Sequence, residues 1–161
     1  MNLAARDLEI LSRKVPLFKG ASVAQVGAVL RLGKVVEHPQ GTVLCRDGDV
    51  SDHMFILLVG SLVVHSGDVR LSGIEAVDIV GEMGMITGMP RSATVEVSAD
   101  ARLIRLNKDA IASLVEGEPV LAALLFRNML ELLSQRLRDN NINLVKTRLL
   151  ADADADESAW I

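Results

Sequence analysis

The chain has 161 residues, half of them hydrophobic, and a formal charge of −4. That length suits one domain with a real core, and with aromatics at 2% and tyrosine absent the core is aliphatic. Asp152, Asp154, Asp156 and Glu157 account for the whole charge, so the body is neutral and lacks the basic field a nucleic-acid binder needs. Cys45 is single, which excludes an intramolecular disulfide and gives no sign of an iron–sulfur cluster. The apolar stretch Met54–Val64 holds 11 residues, against the roughly 20 of a spanning helix. Arg127 and Glu131 break the C-terminal apolar stretch, and Arg6, Asp7 and Glu9 interrupt any signal-peptide run. The expectation is a soluble, cytoplasmic chain without direct membrane insertion.

In chain order, residues 3–13 read as a helix with Leu3, Leu8 and Leu11 roughly on one face, broken at Val15-Pro16-Leu17-Phe18. Ser22-Val-Ala-Gln25 matches a capping box and opens a second helix to about Leu32. From Gly33 to Leu106 short β-branched runs alternate with turn residues: Val35-Val36, Thr42–Cys45, Met54–Val59, Leu62–His65, Val69–Leu71, Ile74–Ile79, Ala93–Val97 and Leu103–Leu106. Evenly spaced short strands argue an antiparallel roll, eight-stranded by this reading. Asn107 caps a short helix to about Glu116, Gly117 stops it, and Pro119 opens a long helix to about Lys146. Along that helix Phe126, Leu130, Leu133, Leu137, Asn140 and Leu144 form a heptad seam with one polar member. Such a seam fits a homodimeric coiled coil registered by the asparagine, or a core-packing helix in a monomer. The expected class is therefore mainly β with flanking helices (α+β). One domain is expected over 1–146, with helices in 1–32, the roll in 33–106 and helices in 107–146. An acidic tail at 147–161, including Trp160, is expected to be disordered.

The stretch Val80–Val97 carries the chemistry. Gly81-Glu82 is followed by Gly84, a short apolar spacer, and then Arg91-Ser92-Ala93. This pattern resembles the phosphate-binding cassette of the cyclic nucleotide-binding domain family, slot by slot. Leu44–Gly60 resembles the family's first signature, departing at Ser51 where Gly, Ala or Cys is usual. The N-terminal helices with Pro16-Leu17-Phe18 resemble its helical bundle. The lead-in Val77-Asp78-Ile79-Val80 lacks the family's frequent Gly-Asp and Phe.

The residues support that resemblance chemically. A 3′,5′-cyclic phosphate is a monoanion suited to the fork of Arg91. A short helix from about Gly81 to Ile86 turns backbone N–H groups toward the same anion. Only the 2′-hydroxyl of the ribose is free, and the acceptor-only carboxylate of Glu82 matches it. Gly88 with Pro90 is expected to turn the chain into a strand beginning near Arg91. Glu82 or Arg91 alone would read as a solvated helix–turn pair, but the full pattern favours the anion site. The resemblance implies a ligand-binding set of Gly81, Glu82, Met83, Gly84, Arg91, Ser92, Ala93 and Val64. By similarity to regulators of the catabolite-activator type, Asn140 and Asn141 join it as a lid over the base.

The implied ligand is cyclic AMP, from the bacterial resemblance, with cyclic GMP as the other candidate. The implied role is a sensor that relays occupancy through its C-terminal helix to an effector protein or dimer mate. No enzyme is expected, since no nucleophile–base constellation stands out. Nor is a metal or cofactor, because His38, His53 and His65 read as lone surface or loop side chains. About fifteen residues follow Lys146, too few for a helix-turn-helix, so direct DNA binding is not expected. The alternatives are an assembly module without ligand and a metal-binding cupin-type roll.

Overall fold

The computed structural model describes the backbone of residues 5–157 and the side chains of residues 8–146. Helix α1 spans Ala5–Lys14, and a 3-10 turn follows at Pro16–Phe18. Leu11, Val15, Leu17 and Phe18 are buried along this entry; Leu3 lies outside the described residues. Helix α2, Val23–Leu32, opens on both arms of the capping box. Gln25 N–H donates to Ser22 Oγ at 3.2 Å, and Ser22 N–H donates to Gln25 Oε1 at 2.9 Å.

Six strands form one antiparallel sheet among the described residues. They are β1 (Lys34–His38), β2 (Val43–Cys45), β3 (His53–Ser66), β4 (Val69–Glu75), β5 (Asp78–Val80) and β6 (Thr94–Asn107). The order is β1-β6-β3-β4, with β2 also on β6 and β5 also on β3. The expected count of eight is corrected to six because the runs 54–59 and 62–65 fuse into β3, and 93–97 and 103–106 into β6. Pairing continues through the bend, with register shifts at Leu57/Val59 and Val59/Ser61. Gly60 makes the bend, at φ 91° and seated on the 99–101 backbone, where a side chain would collide.

Phe55, Leu57, Leu62, Val95, Val97 and Leu103 close one aliphatic cluster with Cys45 and Val80. The alternating residues Met54, Ile56, Ile104 and Leu106 are equally buried on the opposite face. The helix α3 (Glu82–Thr87) interrupts the strands. Helix α4, Lys108–Gly117, is capped by Asn107 Oδ1, which accepts from Ala110 N–H at 2.9 Å. Helix α5 begins at Pro119 and runs to Glu157, past the end expected near Lys146. The segment expected to be a disordered tail is thus helical in its backbone to that point. Its alanines alternate with acids, and alanine is the strongest helix former; residues 158–161, with Trp160, lie outside the description.

The chain divides into two compact units, the first ending at Asn128 and the second beginning at Met129. Within the first, Asn128 is 1% exposed, and its side-chain amide donates to Leu17 O and Lys19 O, each at 2.8 Å. No helix among the described residues is long and apolar enough to cross a membrane.

Candidate ligand site

The site is built by a sharp turn between β5 and α3. Gly81 is left-handed at φ 84°, a conformation that glycine adopts freely, and it redirects the chain so that Glu82 opens the helix. Glu82 is only 2% exposed. Gly88, left-handed at φ 71°, ends the helix, and its N–H donates to Gly84 O at 2.9 Å. The strand expected from about Arg91 begins only at Thr94. Between them the backbone of Arg91 is claimed by the turn before β3. Its N–H donates to Asp49 O at 2.8 Å, and its carbonyl accepts from Gly48 N–H at 2.9 Å.

The Arg91 side chain then folds inward and is 6% exposed. Its Nη1 donates to Gly81 O at 3.1 Å and Nη2 to His53 O at 2.6 Å. Its Nε has no hydrogen-bond partner, and none of the ion pairs among the described residues includes Arg91. A buried cation held only by neutral carbonyls is costly, and an anion supplied from outside lowers that cost.

The model of cyclic nucleotide-binding domains matches residues 35–118, which include the whole cassette. The chain belongs to the cyclic nucleotide-binding domain family. A cyclic nucleotide-gated potassium channel of Rhizobium etli is 32% identical over 73% of this chain and 33% of its own length. A CRP-like cAMP-activated global transcriptional regulator of Mycobacterium tuberculosis is 26% identical over 84% of this chain and 61% of its own. The chain therefore spans only part of each of these relatives. A crystal structure of a cyclic nucleotide-binding domain from Methylobacillus flagellatus superposes with a TM-score of 0.79 at 26% identity, covering 89% of this chain and 83% of that one.

In this cyclic nucleotide-binding domain the remaining expected residues fall in several environments. Met83 is half exposed, and Ser92 Oγ sits 3.7 Å from its sulfur. Ala93 is buried, its carbonyl facing the Cys45 thiol at 3.9 Å. Burial pushes that thiol's pKa up, with Arg91 opposing, so Cys45 behaves as a small core hydrophobe. Val64 packs against the aliphatic cluster inside the roll. The Cβ direction of Gly84 is filled by Ser51 and the Met89 carbonyl, so any ligand contact it makes is through backbone. Asn140 and Asn141 lie on α5 in the second unit and are exposed. A shallow cleft of about 390 Å³, lined by Glu37, His38, Val59 and Arg102 among others, involves none of the cassette residues.

Two participants were not legible beforehand. His53, expected as a lone surface or loop side chain, opens β3 and is half-buried, with its carbonyl receiving Arg91. Its Nδ1 contacts the Asp52 carboxylate and lies 3.3 Å from Arg105 Nη2. Burial holds the His53 pKa below its ordinary value, against the pull of Asp52 and with help from Arg105 and Arg91. Main-chain acceptors leave no mark in a sequence. Ser51 stood out in the sequence only as a mild substitution, and it is 3% exposed with no partner for its hydroxyl.

Proposed function

We propose that this domain is a regulatory sensor that binds cyclic AMP and passes occupancy to another module along α5. The observation that carries the reading is Arg91. A guanidinium buried to 6% exposure, held by carbonyls and left open at Nε, is a receptor for a small anion rather than a structural ion pair. The cyclic phosphate supplies that anion, and its two exocyclic oxygens match the fork. Glu82, buried at the head of α3, is the acceptor for the ribose 2′-hydroxyl. Val64 and its aliphatic neighbours offer the base a non-aromatic wall. Membership of the family supports a cyclic nucleotide as ligand, and the bacterial cAMP-activated relative supports the choice of cyclic AMP over cyclic GMP.

Ligand that binds one arrangement of the cassette better than another shifts the population toward it. Helix α5 leaves the first unit at Asn128 and continues unbroken into the second, so it is the covalent route outward. In the second unit Leu130, Leu137 and Leu144 are exposed in heptad spacing with Asn140, which favours a second copy of the chain as dimer mate. The whole is read as a cytoplasmic binding module that does no chemistry on its ligand. Isothermal titration of nucleotide-stripped protein with cyclic AMP, cyclic GMP and cyclic di-GMP tests this. Saturable binding of cyclic AMP, at least tenfold tighter than cyclic GMP, is expected. The absence of heat with all three would end the sensor reading, and a tenfold preference for cyclic GMP would overturn the base choice.

A further inference from the structure

We propose that Ser51 is a phosphate-contacting residue, donating its hydroxyl to an oxygen of the bound cyclic phosphate alongside Arg91. This deepens the binding reading above and rests on it. Two buried side-chain polar atoms lack a partner among the described residues, and both are at this site: Ser51 Oγ and Arg91 Nε. Both are able to donate, and Arg91 Nε can do nothing else. Buried donors without acceptors are costly and uncommon. An acceptor-only ligand oxygen relieves both, which a second hydroxyl or a carbonyl of the fold does not do here.

The two groups share one location. A Cβ on Gly81 would collide with Arg91 Nη1, and one on Gly84 would collide with Ser51 Oγ and Cβ. Gly81 caps the helix and Gly84 lies in its first turn, so the two contacts fall at the same end of the helix. The Gly81–Gly84 turn therefore rests on Arg91 at one end and Ser51 at the other, and glycine at both places is what lets it do so. The segment bearing Ser51 is also fastened to Arg91 on either side. Gly48 and Asp49 bond its backbone, and the His53 carbonyl holds its side chain. Arg91 and Ser51 thus belong to one rigid frame. A serine where only a small residue fits is then more than a spacer: it adds a donor to that frame.

The test is titration calorimetry on the full chain with cyclic AMP and with the Sp and Rp diastereomers of adenosine 3′,5′-cyclic phosphorothioate. Each diastereomer replaces one exocyclic oxygen with a poorer acceptor. Ser51→Ala and Ser51→Cys should each bind cyclic AMP roughly three- to tenfold more weakly, the size of one hydrogen bond. The Sp-to-Rp affinity ratio should move toward one relative to the native chain. Thermal unfolding of the ligand-free variants should be unchanged or higher, because a buried hydroxyl without a partner has been removed. If cyclic AMP affinity is unchanged in both variants, or falls with the diastereomer ratio unaltered, the proposal is wrong. A lower melting point with native affinity would assign Ser51 to the Met89 carbonyl instead and overturn it equally. Arg91→Ala separates the two levels: if it binds cyclic AMP as the native chain does, or the native chain binds none, the binding reading itself fails.

Discussion

Adding one methyl group at Gly84 tests whether the cassette is seated as described. Gly84 lies inside α3 and has no need of a left-handed backbone, so alanine should favour the helix by about 0.8–1.0 kcal/mol. Against that, the new Cβ falls on Ser51 Oγ and Cβ and comes within 2.8 Å of the Met89 carbonyl. Ser51 is buried, and a carbonyl cannot rotate away from a contact. Overpacking of this kind costs about 1–3 kcal/mol, and with contacts this short the cost falls at the upper end, so Gly84→Ala should lose up to about 2 kcal/mol net. Ser51→Gly removes two of the three colliding atoms. In the double variant the loss should therefore shrink, with a coupling of at least about 0.5 kcal/mol. Urea unfolding followed by far-ultraviolet circular dichroism measures all four proteins. If Gly84→Ala is as stable as the native chain, or the two substitutions simply add, α3 does not rest on Ser51 and the description is wrong.

Arg91→Ala should cost about 2–5 kcal/mol of cyclic AMP affinity, because the ligand's charge loses its partner in a desolvated site; an unchanged dissociation constant would place the anion elsewhere. Asn128→Ala should lower unfolding stability by about 1–3 kcal/mol, since it removes a buried amide that donates to Leu17 O and Lys19 O; a loss below about 0.5 kcal/mol, the scatter of ordinary surface changes, would dissolve that clasp. His53 holds a depressed pKa in the fold, so below its unfolded value of 6.5 the unfolded chain binds more protons. Its contribution is whole above that pH and is lost as pH falls toward the folded value. His53→Gln should therefore flatten the pH dependence of stability just below pH 6.5, and parallel curves for the two proteins would exclude it. Asn140→Leu should tighten or scramble self-association by removing the polar member of the seam; sedimentation showing native and variant chains both monomeric would exclude the dimer.

Features with a local cause were legible in the sequence. The Ser22–Gln25 box, the Asn107 cap and the Pro119 start each depend on a few adjacent residues, and each element begins where those residues say. The short helix of the cassette followed from two glycines that bracket it. What escaped depends on partners distant in sequence. Whether β3 is one strand or two is decided by Gly60 meeting the 99–101 backbone, not by the residues around Gly60. Arg91 was visible as a charge at the right spacing, but its carbonyl partners at Gly81 and His53 were not, because any residue supplies a carbonyl. Asn128 reads in sequence as an ordinary polar position on a helix, and its burial depends on a turn 109–111 residues away. The acids after Leu150 argue for a solvated tail, but the alanines between them carry the helix propensity that extends α5 to Glu157.

The Asn128 clasp also gives the molecule a built-in probe. Both side-chain amide protons are committed, one to Leu17 and one to Lys19. They form a matched pair of resonances whose exchange with water, at fixed pH, reports opening of the helix–turn contact. If cyclic nucleotide loosens that contact the pair should broaden and exchange faster, and if it locks the contact they should slow together. A single labelled asparagine thus reads, without any dye, whether the first unit tightens or lets go when its ligand arrives.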